Sequence, residues 1–157
     1  MDHTVHIATV SDIPAMMAVI NAAFAIETFL EGTRTDEARL AEMMRKGTFL
    51  LACDPAGGVL ASVYVELRGN RGYFGMLGVR PAEQGKGLGR VMVEAGEDYC
   101  RQQGCAAIDI TVLSLRPELP AFYARLGYAE AGAEEFRPSR PLKAGVECHC
   151  IVMSKTL

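Results

Sequence analysis

The stretch EQGKGLG, Glu83 to Gly89, constrains this chain more than any other, with three glycines in seven residues between the apolar run GYFGMLGV and the segment RVMVEAGEDYCRQQG. Glycine loses more conformational freedom on folding than any other residue, so this density marks backbone that turns sharply or approaches another group closely. The flanks say what is being joined. Tyr73 to Val79 reads as a strand, whereas Leu88, Val91, Met92, Ala95 and Tyr99 share one face of a helix. Gly104 stands where a helix ends, and in AAIDITV Ile108, Ile110 and Val112 alternate with Asp109 and Thr111 as on a strand. Strand, glycine loop, helix and strand make a βαβ unit, whose crossover implies parallel neighbours.

The rest of the chain places this unit late in a mixed fold. VHIATV predicts a first strand, and Ser11 or Asp12 ahead of Ile13-Pro14 opens a helix to about Ile26. The loop ETFLEGTR leads to a second helix capped at Thr35, with Leu40, Met43 and Met44 as its apolar stripe. TFLLACD, VLASVYVEL and GYFGMLGV, separated by PAGG and RGNR, read as three antiparallel strands. A short helix and two strands, about Tyr128 to Phe136 and Glu147 to Lys155, complete the order. No repeat, linker or low-complexity tract interrupts it, so one domain over 1–157 is expected.

The loop is an anion site of a particular kind. A Walker A loop needs Ser or Thr after its lysine, but Gly87 follows Lys86; a dinucleotide G-x-G-x-x-G starting at Gly85 would need glycine where Arg90 stands. What remains is Q-x-x-G-x-G, in which Gln84, Gly87 and Gly89 lead straight into the helix. Successive N–H groups, added to the positive helix terminus, converge there on an anion, and Arg80, Lys86 and Arg90 add local positive charge. A pyrophosphate suits such a cradle.

LGVRPAEQGKGLG resembles motif A of the GNAT superfamily of N-acetyltransferases, and LPAFYARLGYAE resembles the motif that follows it there. The resemblance covers essentially the whole chain. It implies a mixed α/β (α+β) fold: a mostly antiparallel central sheet with a splayed parallel strand pair, flanked by helices on both faces. It also implies acetyl-CoA as cofactor, its pyrophosphate on the backbone of Gln84, Gly85, Lys86, Gly87, Leu88 and Gly89 beside Arg90. The pantetheine arm would enter the splay and pair with the main chain of Leu77 and Val79, with Gly78 suited to a bulge. Tyr123 stands at the family's tyrosine position, which protonates the departing thiolate.

Two departures from the family pattern stand out. The Asn that often precedes the tyrosine is missing from SLRPELP, leaving Ser114 or Arg116 to meet the cofactor, or neither; GYFGMLGV carries no carboxylate to serve as base. Glu27, at the head of ETFLEGTR, is the candidate base, with a solvated helix-end carboxylate as the plain alternative. Glu27, Glu31, Glu130, Glu134 and Glu135 suggest an acidic acceptor side that draws a cationic amine. The expected reaction is direct attack by a primary amine of a small molecule or peptide; a non-catalytic acyl-CoA-binding sensor or interaction module is the alternative.

Composition closes off other classes. Sixteen Lys and Arg against 19 Asp and Glu leave a net charge of -3, no field for nucleic acid or an anionic membrane. No stretch approaches a membrane span and MDHTVHIATVSD lacks a leader's pattern, so a cytoplasmic protein is expected, with a homodimer compatible. Of the five cysteines, Cys148 and Cys150 flank His149 without the C-x-x-C of a zinc site, and a strand would turn His149 away from both, so no metal is expected.

Overall fold

The structure, a computed structural model, describes residues 3–138 and 140–157; Met1, Asp2 and Ser139 lie outside the described residues. The strands are β1 (Thr4–Ile7), β2 (Thr48–Cys53), β3 (Val59–Arg68), β4 (Arg71–Val79), β5 (Ala107–Leu113), β6 (Ala129–Glu135) and β7 (His149–Thr156). The helices are α1 (Ile13–Phe24), α2 (Glu37–Lys46), α3 (Leu88–Gln102) and α4 (Glu118–Arg125). All seven strands form one sheet in the order β1-β2-β3-β4-β5-β7-β6, in which only β4 and β5 run parallel. Among the described residues no helix is long and apolar enough to cross a membrane.

Burial follows from side-chain alternation. In TFLLAC, Phe49, Leu51 and Cys53 join a core with Met16, Ile20 and Leu40 of α1 and α2, whereas Leu50 and Ala52 join Met92, Val93 and Cys100 of α3. A strand apolar on both faces is covered on both, and fully burying a Leu or Phe side chain contributes about 1.5–3 kcal/mol. Helices accordingly lie on both faces of the sheet. At Gly72 a Cβ would drive into Cys100 Sγ, so this glycine sets how closely α3 approaches β4.

The element order agrees with the sequence, and the differences are local. The cap of α2 is Asp36, whose carboxylate accepts from the Arg39 amide at 2.8 Å, not Thr35. Thr35 is buried, and its backbone N–H and C=O are bonded by the Asn21 side chain of α1. β1 ends at Ile7 because Asp12 folds back onto the Thr9 amide and closes a 3-10 turn. α1 stops at Phe24, short of Ile26.

The sheet's central irregularity positions the site. β4 pairs with β5 only at Arg71–Ala107, Gly72–Ile108 and Tyr73–Asp109, although the two strands run on to Val79 and Leu113. On its other side β4 stays paired to β3, with the register slipping between Ser62–Gly78 and Tyr64–Gly75. The bulge therefore centres on Met76, whose φ of 52° is positive, and not on Gly78. Gly78 has a different reason to be glycine: a Cβ there would stand 3.3 Å from the Ala23 Cβ, so it admits the close approach of α1.

Candidate active site

The glycine loop presents unpaired amides. Gly85 and Gly87 adopt φ of +80° and +86°, a conformation that costs other residues about 1–2 kcal/mol, and Gly87 is the N-cap of α3. Among the described residues no side chain caps the helix, and its first backbone bond runs from the Val91 amide to the Gly87 carbonyl. The amides before Val91 are thus left to an external acceptor at a positive helix terminus. Gln84 donates from Nε2 to the Val79 carbonyl at 3.1 Å, which fastens the loop to the end of β4. Lys86 pairs with Glu83 at 3.1 Å and Arg90 with Glu94 at 3.0 Å, exposed pairs that an incoming anion can compete with. At Gly89 a Cβ would touch the Phe122 ring at 3.4 Å, so the loop backs directly onto α4.

Where β4 and β5 part, a cleft of about 580 Å³ opens, lined by Tyr73 to Leu77, Ile110 to Leu113, Leu119, Phe122 and Tyr123. Leu77 is on its wall; Gly78, Val79, Gln84–Arg90 and Ser114 are not. Phe122 joins the two regions, lining the cleft on one side and meeting Gly89 on the other.

Tyr123 is 6% exposed and packs among Phe74, Phe122 and Tyr128, with ring centroids 5.0–5.9 Å away. Its hydroxyl has no hydrogen-bond partner among the described residues. Burial pushes the phenol well above the ordinary 10, against a smaller opposing pull from Arg116. The group therefore remains a proton donor throughout the neutral range. Tyr128 is spoken for: its hydroxyl donates to Glu97 at 2.7 Å, and Glu97 also accepts from Lys155 at 3.1 Å.

Glu27 lines the same cleft at 4% exposure, but it is clamped. Its Oε2 accepts from Arg116 Nη1 and its Oε1 from Arg140 Nη2, each at 2.8 Å. Clamped between two guanidiniums, this carboxylate orders Arg116 and Arg140 along the cleft wall. Arg34 completes the cluster, stacked over Phe24 at 5.3 Å; burial lowers its pKa, with Glu27 opposing that shift and Arg140 adding to it. Arg140 and Arg34 carry no periodic signal in the sequence. The clasp depends on two irregular segments meeting through the Leu30–Leu142 bridge, the Glu31 amide to the Pro141 carbonyl, and the Lys143 amide to the Phe29 carbonyl.

The remaining candidates are differently placed. Ser114 is tied to β7, where its hydroxyl accepts from the His149 amide at 3.0 Å and donates toward Cys148 Sγ, and it does not line the cleft. Arg116 is committed to Glu27 and Glu118. Nor is the acceptor side simply acidic. Glu134 and Glu135 reach the cleft but Glu31 and Glu130 do not, and Arg34, Arg39, Arg116, Arg137 and Arg140 all line it.

A sheet split at a bulged strand, with a glycine-capped helix beside the split, sets an open gap next to an anion-binding terminus, and comparison with known proteins names the family that has this fold. Residues 15–128 match the model of the acetyltransferase (GNAT) family, and the chain belongs to that family, whose cofactor is acetyl-CoA. A mycothiol acetyltransferase of Propionibacterium freudenreichii is 26% identical over 140 residues, 84% of this chain but 45% of the relative, so the chain spans under half of that protein's length. The ribosomal-protein-S18-alanine N-acetyltransferase of Escherichia coli superposes with a TM-score of 0.79 at 19% identity, over 99% of this chain and 94% of the other. An acetyltransferase of Salmonella typhimurium, solved with its cofactor acetyl-CoA, gives 0.76 at 20% identity, over 100% and 95%.

Proposed function

We propose that the protein moves the acetyl group of acetyl-CoA to the primary amine of a small molecule or peptide by direct attack, with Tyr123 as general acid. The observation that carries this reading is the splay of β4 from β5, which opens a cleft lined by Tyr123, whose hydroxyl has no partner among the described residues, near the amide-rich start of α3. When bound, the cofactor supplies a thioester carbonyl open to a neutral amine and a thiolate that needs a proton on leaving. The residues present fit it. The amides of Gly85 to Arg90 would hold the pyrophosphate, and the main chain of Leu77 and Val79, on either side of Gly78, would offer strand-type bonds toward the gap. The positive φ of Met76 at the bulge supports an N–H there as the donor that would stabilise the carbonyl oxygen as charge builds on it.

Tyr123 donates the proton at its Oη. β4 has no carboxylate and Glu27 is engaged, so the acceptor reaches the cleft already neutral or gives its proton to water. Glu27 holds Arg116 and Arg140 in place. Single-turnover thiol release, with acetyl-CoA preloaded and a panel of primary amines added, tests the proposal: some amines accelerate release over hydrolysis, increasingly so as pH rises toward their own pKa values. Tight binding of acetyl-CoA with no amine-dependent release would favour the sensor reading.

A further inference from the structure

Tyr123 serves the leaving sulfur, and no residue of the proposed chemistry serves the incoming nitrogen. A nucleophile reaches a thioester carbon from one direction and the sulfur leaves in another, so their partners belong on different sides of the gap. The sheet separates two such sides. Tyr123 packs with Phe74 and Phe122 in the core under α3, together with Ile110 and Val112 of β5. Tyr73 packs with Met76 against the other core, that of Met16 and Ile20 of α1. Thr111, between Ile110 and Val112, faces this second side by strand alternation. Both tyrosines and Thr111 line the cleft.

Three contacts aim the Tyr73 ring along the split. The three atoms nearest a Cβ at Gly75 all belong to Tyr73, the hydroxyl oxygen closest at 2.9 Å. Gly75 has no positive φ, so it is the ring lying across it that favours glycine there. The Arg68 guanidinium stacks over the ring, 4.1 Å from its centroid, and is itself tied to Glu66 at 2.9 Å. At the far end the Tyr73 hydroxyl meets the Thr111 hydroxyl at 3.4 Å, its sole polar contact among the described residues and a long one. Whichever of the two donates, lone pairs remain free on both oxygens. Burial raises the Tyr123 phenol most and Tyr73 adds to that rise, so the two rings stand within electrostatic reach of each other.

We propose that Tyr73 orients the acceptor: its Oη, held by Thr111, accepts a hydrogen bond from the amine N–H and turns the nitrogen lone pair toward the thioester carbon. The inference rests on the acetyl-transfer reading above. A phenol oxygen accepts from a neutral amine, whereas a carboxylate in its place would favour the ammonium, which has no lone pair to attack with. The absence of a carboxylate from β4 is consistent with this role. Phe24, Leu30 and Met76 line the same cleft, so the carbon chain next to the nitrogen meets apolar surface. As nitrogen and carbon bond, carbon and sulfur part; the sulfur keeps the electron pair and takes the Tyr123 proton, the nitrogen gives its extra proton to water, and water restores Tyr123. Tyr73 neither gains nor loses a proton.

The test uses ethylamine, phenethylamine, alaninamide, phenylalanine and spermidine as probe amines. Tyr73→Phe keeps the ring and the Arg68 stacking and deletes one acceptor. For each probe the wild type turns over, kcat/KM should fall roughly 5- to 10-fold, about the worth of one neutral hydrogen bond, while acetyl-CoA affinity by calorimetry and amine-free thiol release hold. Thr111→Val should lower the same constant in the wild type and change little in Tyr73→Phe, since both act on one contact. Gly75→Ala, which displaces the hydroxyl without deleting it, should reproduce the Tyr73→Phe loss. Comparing amine-dependent with amine-free release within each variant cancels any loss of folded protein. If Tyr73→Phe stays within about twofold of the wild type, or if Glu134→Gln takes the loss in its place, the assignment is wrong. An equal fall in amine-free release also overturns it, since that marks a packing role. If the wild type binds acetyl-CoA and releases thiol to none of the probes, the acetyl-transfer reading itself fails, and the role of Tyr73 with it.

Discussion

Tyr123 is the residue at which binding and chemistry separate. Its ring belongs to the core with Phe74 and Tyr128, and its hydroxyl has no partner among the described residues, so Tyr123→Phe keeps the packing and removes one proton donor. Turnover should fall about 100-fold, toward the low end for general acid catalysis because water reaches an open cleft, with acetyl-CoA affinity little changed. Burial raises the phenol's pKa, so the acid form persists as pH rises, and kcat should show no descending limb from this group below about pH 10. A pH profile on a slow amine checks both. Glu27 gives the opposite contrast. Removing the charge shared by Arg116 and Arg140 breaks a buried ion network, so Glu27→Gln should cost about 3–5 kcal/mol, on the order of 10 °C in Tm. A free base would lose activity and keep its melting temperature. Tyr123 was readable because it lies in a local motif. The state of Glu27 was not, because its partners lie 89 and 113 residues away in sequence.

At the scale of elements, helix α3 and its glycine cap carry the cofactor prediction. At a hundredfold excess over Kd, acetyl-CoA should stabilise the protein by about 2.7 kcal/mol. Gly87→Glu should abolish that gain by setting a negative charge at the amides, whereas Gly87→Asn, tolerant of the left-handed conformation and uncharged, should retain most of it. Thermal melts with and without ligand decide, and an equal response in wild type and Gly87→Glu would remove the loop from the site. The order of strands and helices was legible from period-2 and helical spacing because β2, β3, α1 and α3 each bury a patterned face. β6 buries nothing, and AEAGAEE has no apolar alternation to announce it; the resemblance placed it. The bulge was misplaced by two residues because glycine in a strand signals either a bulge or a close neighbour, and at Gly78 the neighbour, α1, was the reason.

Over the whole molecule, groups buried in protonated form set the alkaline limit. Burial pushes the Cys100 thiol from 9.0 up to about 12 and Cys150 up to about 11, and raises Tyr64, Tyr123 and Tyr128 above 10. Below about pH 9 the folded and unfolded chains bind these protons alike. Above it the unfolded chain ionises first, so stability falls as pH rises, by at most about 1.4 kcal/mol per pH unit for each such group. Urea midpoints at pH 7.5 and about pH 10 should therefore diverge more for the wild type than for Cys100→Ala, which removes one of the titrating groups. Unequal protection of this kind is legible only in the fold, since nothing in the sequence distinguishes a buried Cys100 from the half-exposed Cys148.

The short parallel pairing of β4 with β5 makes the sheet two stiff blades, β1 to β4 and β5-β7-β6, hinged at three residue pairs. The hinge is pinned from outside: Arg71 grips Asp109 through Nε and Nη2, and Ser154 of β7 donates to the same carboxylate. Because the blades diverge from that pin, the width available to a guest is fixed by the angle between them and grows with distance from Tyr73. The room for the cofactor arm proposed above is thereby set by a wedge inside the sheet, and loosening the pin at Asp109 should widen it without touching any residue that lines the cleft.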